Sequence, residues 1–211
     1  MNAEHPRRRA PAMSVEQRRD EIVRAALPLL VEHGANLTTR AVAQASGVAE
    51  GTVFRVFTDK EELLRACVSE AFRTDEACAR IRGIPAEYDV EERLERAASV
   101  LLDYFRRLGR LVHSLSASGY DVHRHDGVGH DHADCEPEFV RQLLAACVTL
   151  TEPDRQRFRV PPETLVRMLF GLLMSMRFDP TAQEDEHTAL ALRVDVLLRG
   201  ALAERGPERH R

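Results

Sequence analysis

The chain has 211 residues, 44% of them apolar and 30% charged, with a formal net charge of −4. That length and apolar share suffice for one or two compact domains with a core. The acidic balance excludes a wholly basic nucleic-acid protein and leaves room for a local basic surface. Such a surface has a candidate place, because residues 1–60 carry nine Lys and Arg against seven Asp and Glu, and Lys60 is the single lysine beside 29 arginines. The cysteines, Cys67, Cys78, Cys135 and Cys147, form no C-x-x-C pair, which fits a reducing cytosol better than a disulfide scaffold. Met1-Asn2-Ala3-Glu4-His5 lacks the apolar segment of a signal peptide. The longest apolar stretch, Met168 to Met176, is about half of what a bilayer span needs. The expectation is a soluble, cytoplasmic protein with no membrane contact.

No run alternates apolar and polar residues over the length of a half-buried strand, and the apolar periods are helical throughout. Residues 1–13 hold Arg7-Arg8-Arg9 between Pro6 and Pro11 and read as a flexible basic arm. A first helix starts at Ser14, with Gln17 in the capping-box position. Its apolar face is Ile22, Ala25, Ala26 and Leu29, Pro28 should kink it or break one hydrogen bond, and Gly34 stops it. Thr38 is placed to cap a helix over Thr39–Ala45, Gly47 marks a tight turn, and a second short helix covers Glu50–Val56. Asp59 then caps a longer helix whose face is Leu64, Cys67, Val68 and Ala71, and Gly83 and Pro85 punctuate a boundary near residue 84. Beyond it, Leu94, Ala97, Ala98, Leu101, Phe105 and Leu108 line a long helix, and residues 118–136 read as a polar loop. Phe139, Leu143, Ala146 and Leu150 recur at helical spacing, Pro161 and Pro162 open another helix, and residues 188–203 form the last one. The fold class is all-α, with a small N-terminal domain over 14–80 and a larger helical domain over 81–211.

Residues 37–57 meet the physical demands of a helix-turn-helix in order. Ala43 is small enough to let the second helix approach, and Gly47 permits a left-handed turn that a β-carbon would strain. Val48 and Val53 pack the second helix back on the module, leaving Glu50, Gly51, Thr52 and Arg55 outward, where base-reading residues must be.

From Arg18 to Phe72 the chain resembles the DNA-binding domain of the TetR (tetracycline repressor-like) family. The matching features are the first helix from Ala25 to Gly34, the stretch Thr38-Thr39-Arg40-Ala41-Val42-Ala43-Gln44-Ala45-Ser46-Gly47-Val48, the stretch Gly51-Thr52-Val53-Phe54-Arg55-Val56-Phe57, and Asp59 to Leu64 opening the fourth helix. The resemblance implies a ligand-responsive regulator, a repressor, that binds a palindromic double-stranded operator as a homodimer and is released by a small-molecule effector. By the same resemblance, residues 81–211 are a ligand-binding and dimerisation domain. Thr38 and Thr39 would contact phosphates, and Arg40 would reach guanine in the major groove. Glu50, Gly51, Thr52 and Arg55 would lie on the recognition helix, and Lys60 would meet a phosphate. Two positions depart from the family: Ala49 stands where a Ser or Thr usually caps the recognition helix, a loss on the order of 1 kcal/mol. Phe54, which the resemblance also places among the DNA-binding residues, stands where a Tyr hydroxyl usually binds phosphate, and can only pack.

The helix from 162 to 177 is apolar on two sides and must bury both. Leu165, Met168, Leu169, Leu172 and Met176 form one stripe, and Val166, Phe170 and Met174 another. The last helix offers Leu190, Val194, Leu197, Leu198 and Ala201. The resemblance implies a dimer interface from these two helices, through Leu165, Met168, Leu169, Leu172, Met176, Leu190, Val194, Leu197, Leu198 and Ala201. Tyr104, Phe105, Tyr120, Phe139, Phe170 and Met174 are candidate lining for an apolar effector pocket. The segment 119–136 carries two His-x-His pairs, His123 with His125 and His130 with His132, and Cys135. Those are candidate ligands for Zn, Ni or Cu, and a metal-responsive protein is the alternative reading. Enzyme signatures are missing: there is no G-x-G-x-x-G, P-loop, G-x-S-x-G or H-E-x-x-H. Only one Glu-x-x-His, Glu184–His187, occurs, too few for a di-iron site. The chain reads as a binding protein, not an enzyme.

Overall fold

A computed structural model describes residues 14–122, 136–176 and 185–201. The described residues form helices α1 (Val15–His33), α2 (Thr39–Ala45), α3 (Glu50–Val56), α4 (Lys60–Ala71), α5 (Asp75–Arg82), α6 (Val90–Ala117), α7 (Glu138–Thr151), α8 (Pro162–Met176) and α9 (Glu186–Ala201), and no strand among them. The all-α expectation holds. The chain divides into two compact units: residues up to 71 with 110–127, and residues 72–109 with 128–211. α5 packs against α7 and belongs to the second unit.

In the first unit, Ser14 and Gln17 exchange backbone N–H and side-chain oxygen in both directions, at 3.0 and 3.1 Å, closing the capping box that starts α1. The helix runs on through Pro28 and buries Ile22, Val23, Ala26 and Leu30. That face lies beside the expected one, leaving Ala25 and Leu29 half-buried. α1 packs on α2, α3 and α4, whose buried residues are Val42 and Ala43, Val53, and Leu63, Leu64, Cys67 and Val68 respectively. Gly34 closes α1 at φ +56° and sits so close to the end of α6 that a Cβ there would lie 2.4 Å from the Ser114 carbonyl and the Ser118 hydroxyl. The Ser118 hydroxyl accepts from the Ala35 N–H at 2.7 Å and donates to backbone carbonyls of its own helix end.

In the second unit α5 packs on α7, α7 on α8 and α8 on α9. The long α6 contributes Leu94, Ala97, Ala98, Leu101, Tyr104 and Phe105 to its buried residues. Arg93, buried to 3% exposure, is ion-paired with Asp154, which also takes Arg157 at 2.6 Å. A buried guanidinium is tolerated only with such a partner. No described helix is long and apolar enough to cross a membrane.

Gly34 combines a positive φ with no room for a side chain, so Gly34→Ala should destabilise the fold by more than about 2 kcal/mol. A urea-unfolding midpoint unchanged from wild type would refute that reading of the α1 terminus.

Candidate nucleic-acid interface

The helix-turn-helix is built by local bonds. The Thr38 hydroxyl accepts from the Ala41 N–H at 3.1 Å and caps α2. At its other end the Ser46 hydroxyl donates to the Val42 carbonyl at 2.7 Å. Gly47 then turns at φ +67°, its N–H donating to Gln44 O at 3.2 Å and the Val48 N–H to Ala43 O at 3.0 Å. Nothing lies within 4 Å of a Cβ at Gly47, so the left-handed backbone alone demands glycine there. Ala49 occupies the cap position of α3 and offers no side-chain bond. Val53 and Phe57, each 1% exposed, anchor α3 to the first unit.

This anchoring turns Glu50, Gly51, Phe54 and Arg55 outward, with Thr52 half-buried between the two sides. Phe54 is 53% exposed and belongs to the outward surface. Helical spacing accounts for this, since Val53 takes the buried position and the next residue points about 100° away. A link that spacing alone does not reveal ties the two helices: the Thr39 hydroxyl donates to the Glu50 carboxylate at 2.7 Å. Thr38, Arg40 and Lys60 are exposed and Thr39 is half-buried. Arg40, Arg55 and Lys60 make no ion pair with any described residue, unlike many other arginines of the chain.

Behind α3 lies a second device. The Glu62 carboxylate accepts from the Thr58 N–H at 2.8 Å, from the Arg19 guanidinium at 2.7 Å and from the Thr58 hydroxyl at 2.9 Å. The Thr58 N–H, Arg19 and the Thr58 hydroxyl, in that order, hold its pKa down at about 2. Arg19 also donates to the Val56 carbonyl at 3.4 Å and lies 4.4 Å over the Phe57 ring. One arginine of α1 therefore fixes the end of α3 and the start of α4. Asp59 caps α4 by accepting from the Glu62 N–H at 2.7 Å.

The second unit gathers four of the six pocket candidates into one aromatic cluster. Tyr104 and Phe105 meet edge-on at 5.2 Å, Phe105 and Phe170 at 5.4 Å, and Tyr104 and Phe139 lie 6.5 Å apart. The Tyr104 hydroxyl donates to the Phe72 carbonyl at 3.0 Å, and burial pushes its pKa up to about 12. Met174 is half-buried on α8, and Tyr120 is buried in the first unit. A cleft of about 960 Å³ lies elsewhere in the second unit, lined by α5, α6, α9 and the segment after α5, and contains none of these six residues.

Of the ten interface candidates, Leu165, Leu169, Met176, Leu190, Val194, Leu197 and Leu198 are buried within the chain itself. Leu172 is half-buried, and Met168 is 51% exposed. The apolar residues these helices leave outward are Met168, Leu192 and Val196, the last two each 60% exposed. Ala201 closes α9. His123, His125, His130, His132 and Cys135 lie outside the described residues. Among the described residues no group of three His, Cys, Asp or Glu is placed to hold a metal ion. Cys67 and Cys147 are buried, which raises both thiols to about 12 and leaves them protonated and unreactive.

Residues 22–67 match the family described as bacterial regulatory proteins, tetR family. The fold is similar to that of a protein assigned as a TetR-family transcriptional regulator from Mesorhizobium loti, with a TM-score of 0.64 and 17% identity over 90% of this chain and 100% of that one. It is also similar to the fatty acid degradation regulator FadR from Bacillus halodurans, at TM-score 0.57 and 21% identity over 97% of this chain and 100% of the other. A tetR-family transcriptional regulator from Streptomyces coelicolor gives TM-score 0.57 and 22% identity over 89% and 83% of the two chains. At such identities the likeness to solved structures is one of fold. No curated protein matches the chain.

Gly51 lies on the outward face of α3 with nothing within 4 Å of a Cβ there. Gly51→Ala should therefore raise thermal stability, by about 0.5–1 kcal/mol of helix propensity, while weakening any contact of α3 with a DNA groove. Thermal unfolding together with a DNA-binding titration checks both halves. A variant that is more stable and binds DNA as well as wild type would place Gly51 outside the interface.

Proposed function

We propose, from the match of residues 22–67 to the tetR family of bacterial regulatory proteins, that the chain is a DNA-binding regulator that represses from a palindromic operator as a homodimer, released by a small-molecule effector. The observation that carries the reading is the joint exposure of Arg40, Arg55 and Lys60, without acidic partners among the described residues, around the outward face of α3. Leaving three cations unpaired favours an anionic partner, and the phosphate backbone is the partner a helix-turn-helix meets.

Roles follow from chemistry. Arg40 and Arg55 carry planar forks suited to guanine O6 and N7, and Glu50 can accept from a cytosine amino group. Its tie to Thr39 holds the carboxylate in place before DNA arrives. Phe54 offers an apolar edge to a thymine methyl in place of a phosphate contact. Lys60 and the Thr38 hydroxyl suit phosphates, and Thr39 can join them only by turning its one hydroxyl proton away from Glu50. A dimer spanning two half-sites must hold its recognition helices about one DNA turn or a multiple apart, so an effector that alters the spacing weakens binding.

Met168, Leu192 and Val196 support a homodimer through the outer faces of α8 and α9, since exposed apolar residues on adjoining helices favour self-association. Buried Leu169 and Leu197 would report on the chain's own core. Met168→Glu combined with Leu192→Glu should give a folded monomer by sedimentation, with helical content intact and operator affinity strongly reduced. A double variant that remains a dimer would move the interface elsewhere.

The DNA reading is tested by selecting binding sequences from a random duplex pool and titrating the variants on the winner. Arg40→Ala should cost about 1–3 kcal/mol and relax preference at one base position, whereas Lys60→Ala should weaken all sequences alike and flatten the salt slope by about 1. A pool that yields no preferred palindrome, or an Arg40→Ala variant with unchanged affinity, would overturn the assignment.

A further inference from the structure

We propose that the cleft between the end of α5, the first turns of α6 and the start of α9 binds an amphipathic organic cation, with Glu95 as its charge anchor. The cleft, about 960 Å³, lies wholly within the second unit. That volume is at the upper end of the roughly 300–1,000 Å³ typical of small-molecule pockets, far more than a metal ion needs. Ile84, Pro85, Val100 and Leu190 give it apolar walls.

Its charged lining is mostly neutralised already. Arg96 is bonded to Glu92 at 2.7 Å and lies 4.3 Å over the Tyr88 ring. Arg80 faces Asp103 at 3.7 Å, and Glu186 is paired with Arg106. Glu95 is the exception. It is half-buried and makes no hydrogen bond or ion pair with any described residue.

The surroundings of Glu95 are predominantly of its own sign. Burial raises its pKa first, Glu91, Asp89 and Glu92 add to the rise, and only His187 of α9 acts against them. A carboxylate partly withdrawn from water beside other carboxylates gains from any cation that replaces the lost hydration. An anion would be repelled, and a neutral ligand would bury Glu95 further without a partner. Glu95 and His187 supply two potential ligands to a metal, short of a site, in keeping with the absence of any group of three among the described residues. The combination of apolar walls with one unsatisfied negative charge selects a lipophilic cation.

As a binding site the cleft stands without the regulator reading; only its use as the effector site rests on that reading. Tetraphenylphosphonium and tetraphenylborate share one shape and carry opposite charge, so they separate the charge requirement from simple greasiness. Calorimetric titration of the full chain, without DNA, should show one tetraphenylphosphonium per protomer and at least about tenfold weaker tetraphenylborate binding. Glu95→Gln keeps the shape, removes the charge and should lose about tenfold in cation affinity at unchanged or higher thermal stability. No cation binding by wild type, equal binding of the two ions, or full cation affinity in Glu95→Gln would each overturn the proposal. Adding the cation to a preformed protein–operator complex forms a separate arm: binding that leaves operator affinity unchanged supports the cleft and counts against ligand release.

Discussion

The left-handed turn at Gly47 is the constraint on which the outward surface of α3 depends. With φ at +67° the chain reverses between α2 and α3 within a few residues, and two backbone bonds close the turn. A shorter or straighter link would not let Val53 and Phe57 reach the interior shared with α1. Once those two side chains are buried, helical spacing leaves no freedom over which side of α3 faces out. Glu50, Gly51, Phe54 and Arg55 form that side. The Arg19–Glu62–Thr58 bonds then lock the far end of α3 from α1 and α4. A seven-residue helix too short to be stable alone is thereby held at both ends by tertiary contacts.

The second unit follows a different economy. Its helices pack their apolar faces on each other, and aromatic residues of α6, α7 and α8 meet in one cluster. The Tyr104 hydroxyl spends its one proton on the Phe72 carbonyl and keeps only acceptor capacity. Room remains near the N-terminal turns of α6, where Arg80, Glu92 and Glu186 are already occupied by ion pairs and Glu95 is not. The features open to a partner or ligand are thus the leftovers of packing and pairing: outward Met168, Leu192 and Val196, and the Glu95 carboxylate.

Much of the first unit was legible in the sequence because its determinants are local. Ser14 with Gln17, Thr38 with Ala41, and Gly47 act over three or four residues, so pattern and structure coincide. Phe54 was harder: a missing hydroxyl says what the residue cannot do, and only the burial of Val53 says where it points. On α8 two apolar stripes were plain, yet a stripe does not state whether its partner lies in the same chain. Leu165 and Leu169 are covered by the chain's own helices, while Leu192 and Val196, spaced four apart on α9, face outward. The cleft could not be read at all, because Arg80, Glu95 and His187 are distant in sequence, and the pairing that leaves Glu95 alone exists only in three dimensions.

The central claim is that α2 and α3, held by the Gly47 turn, form the surface that meets DNA. Amide hydrogen exchange of the full chain, measured free and bound to its selected duplex, tests this most directly because it maps contact without altering the protein. The account predicts slowed exchange over residues 38–60, strongest in α3. Protection confined to α5–α9, or DNA binding with no change in α2 and α3, would contradict it.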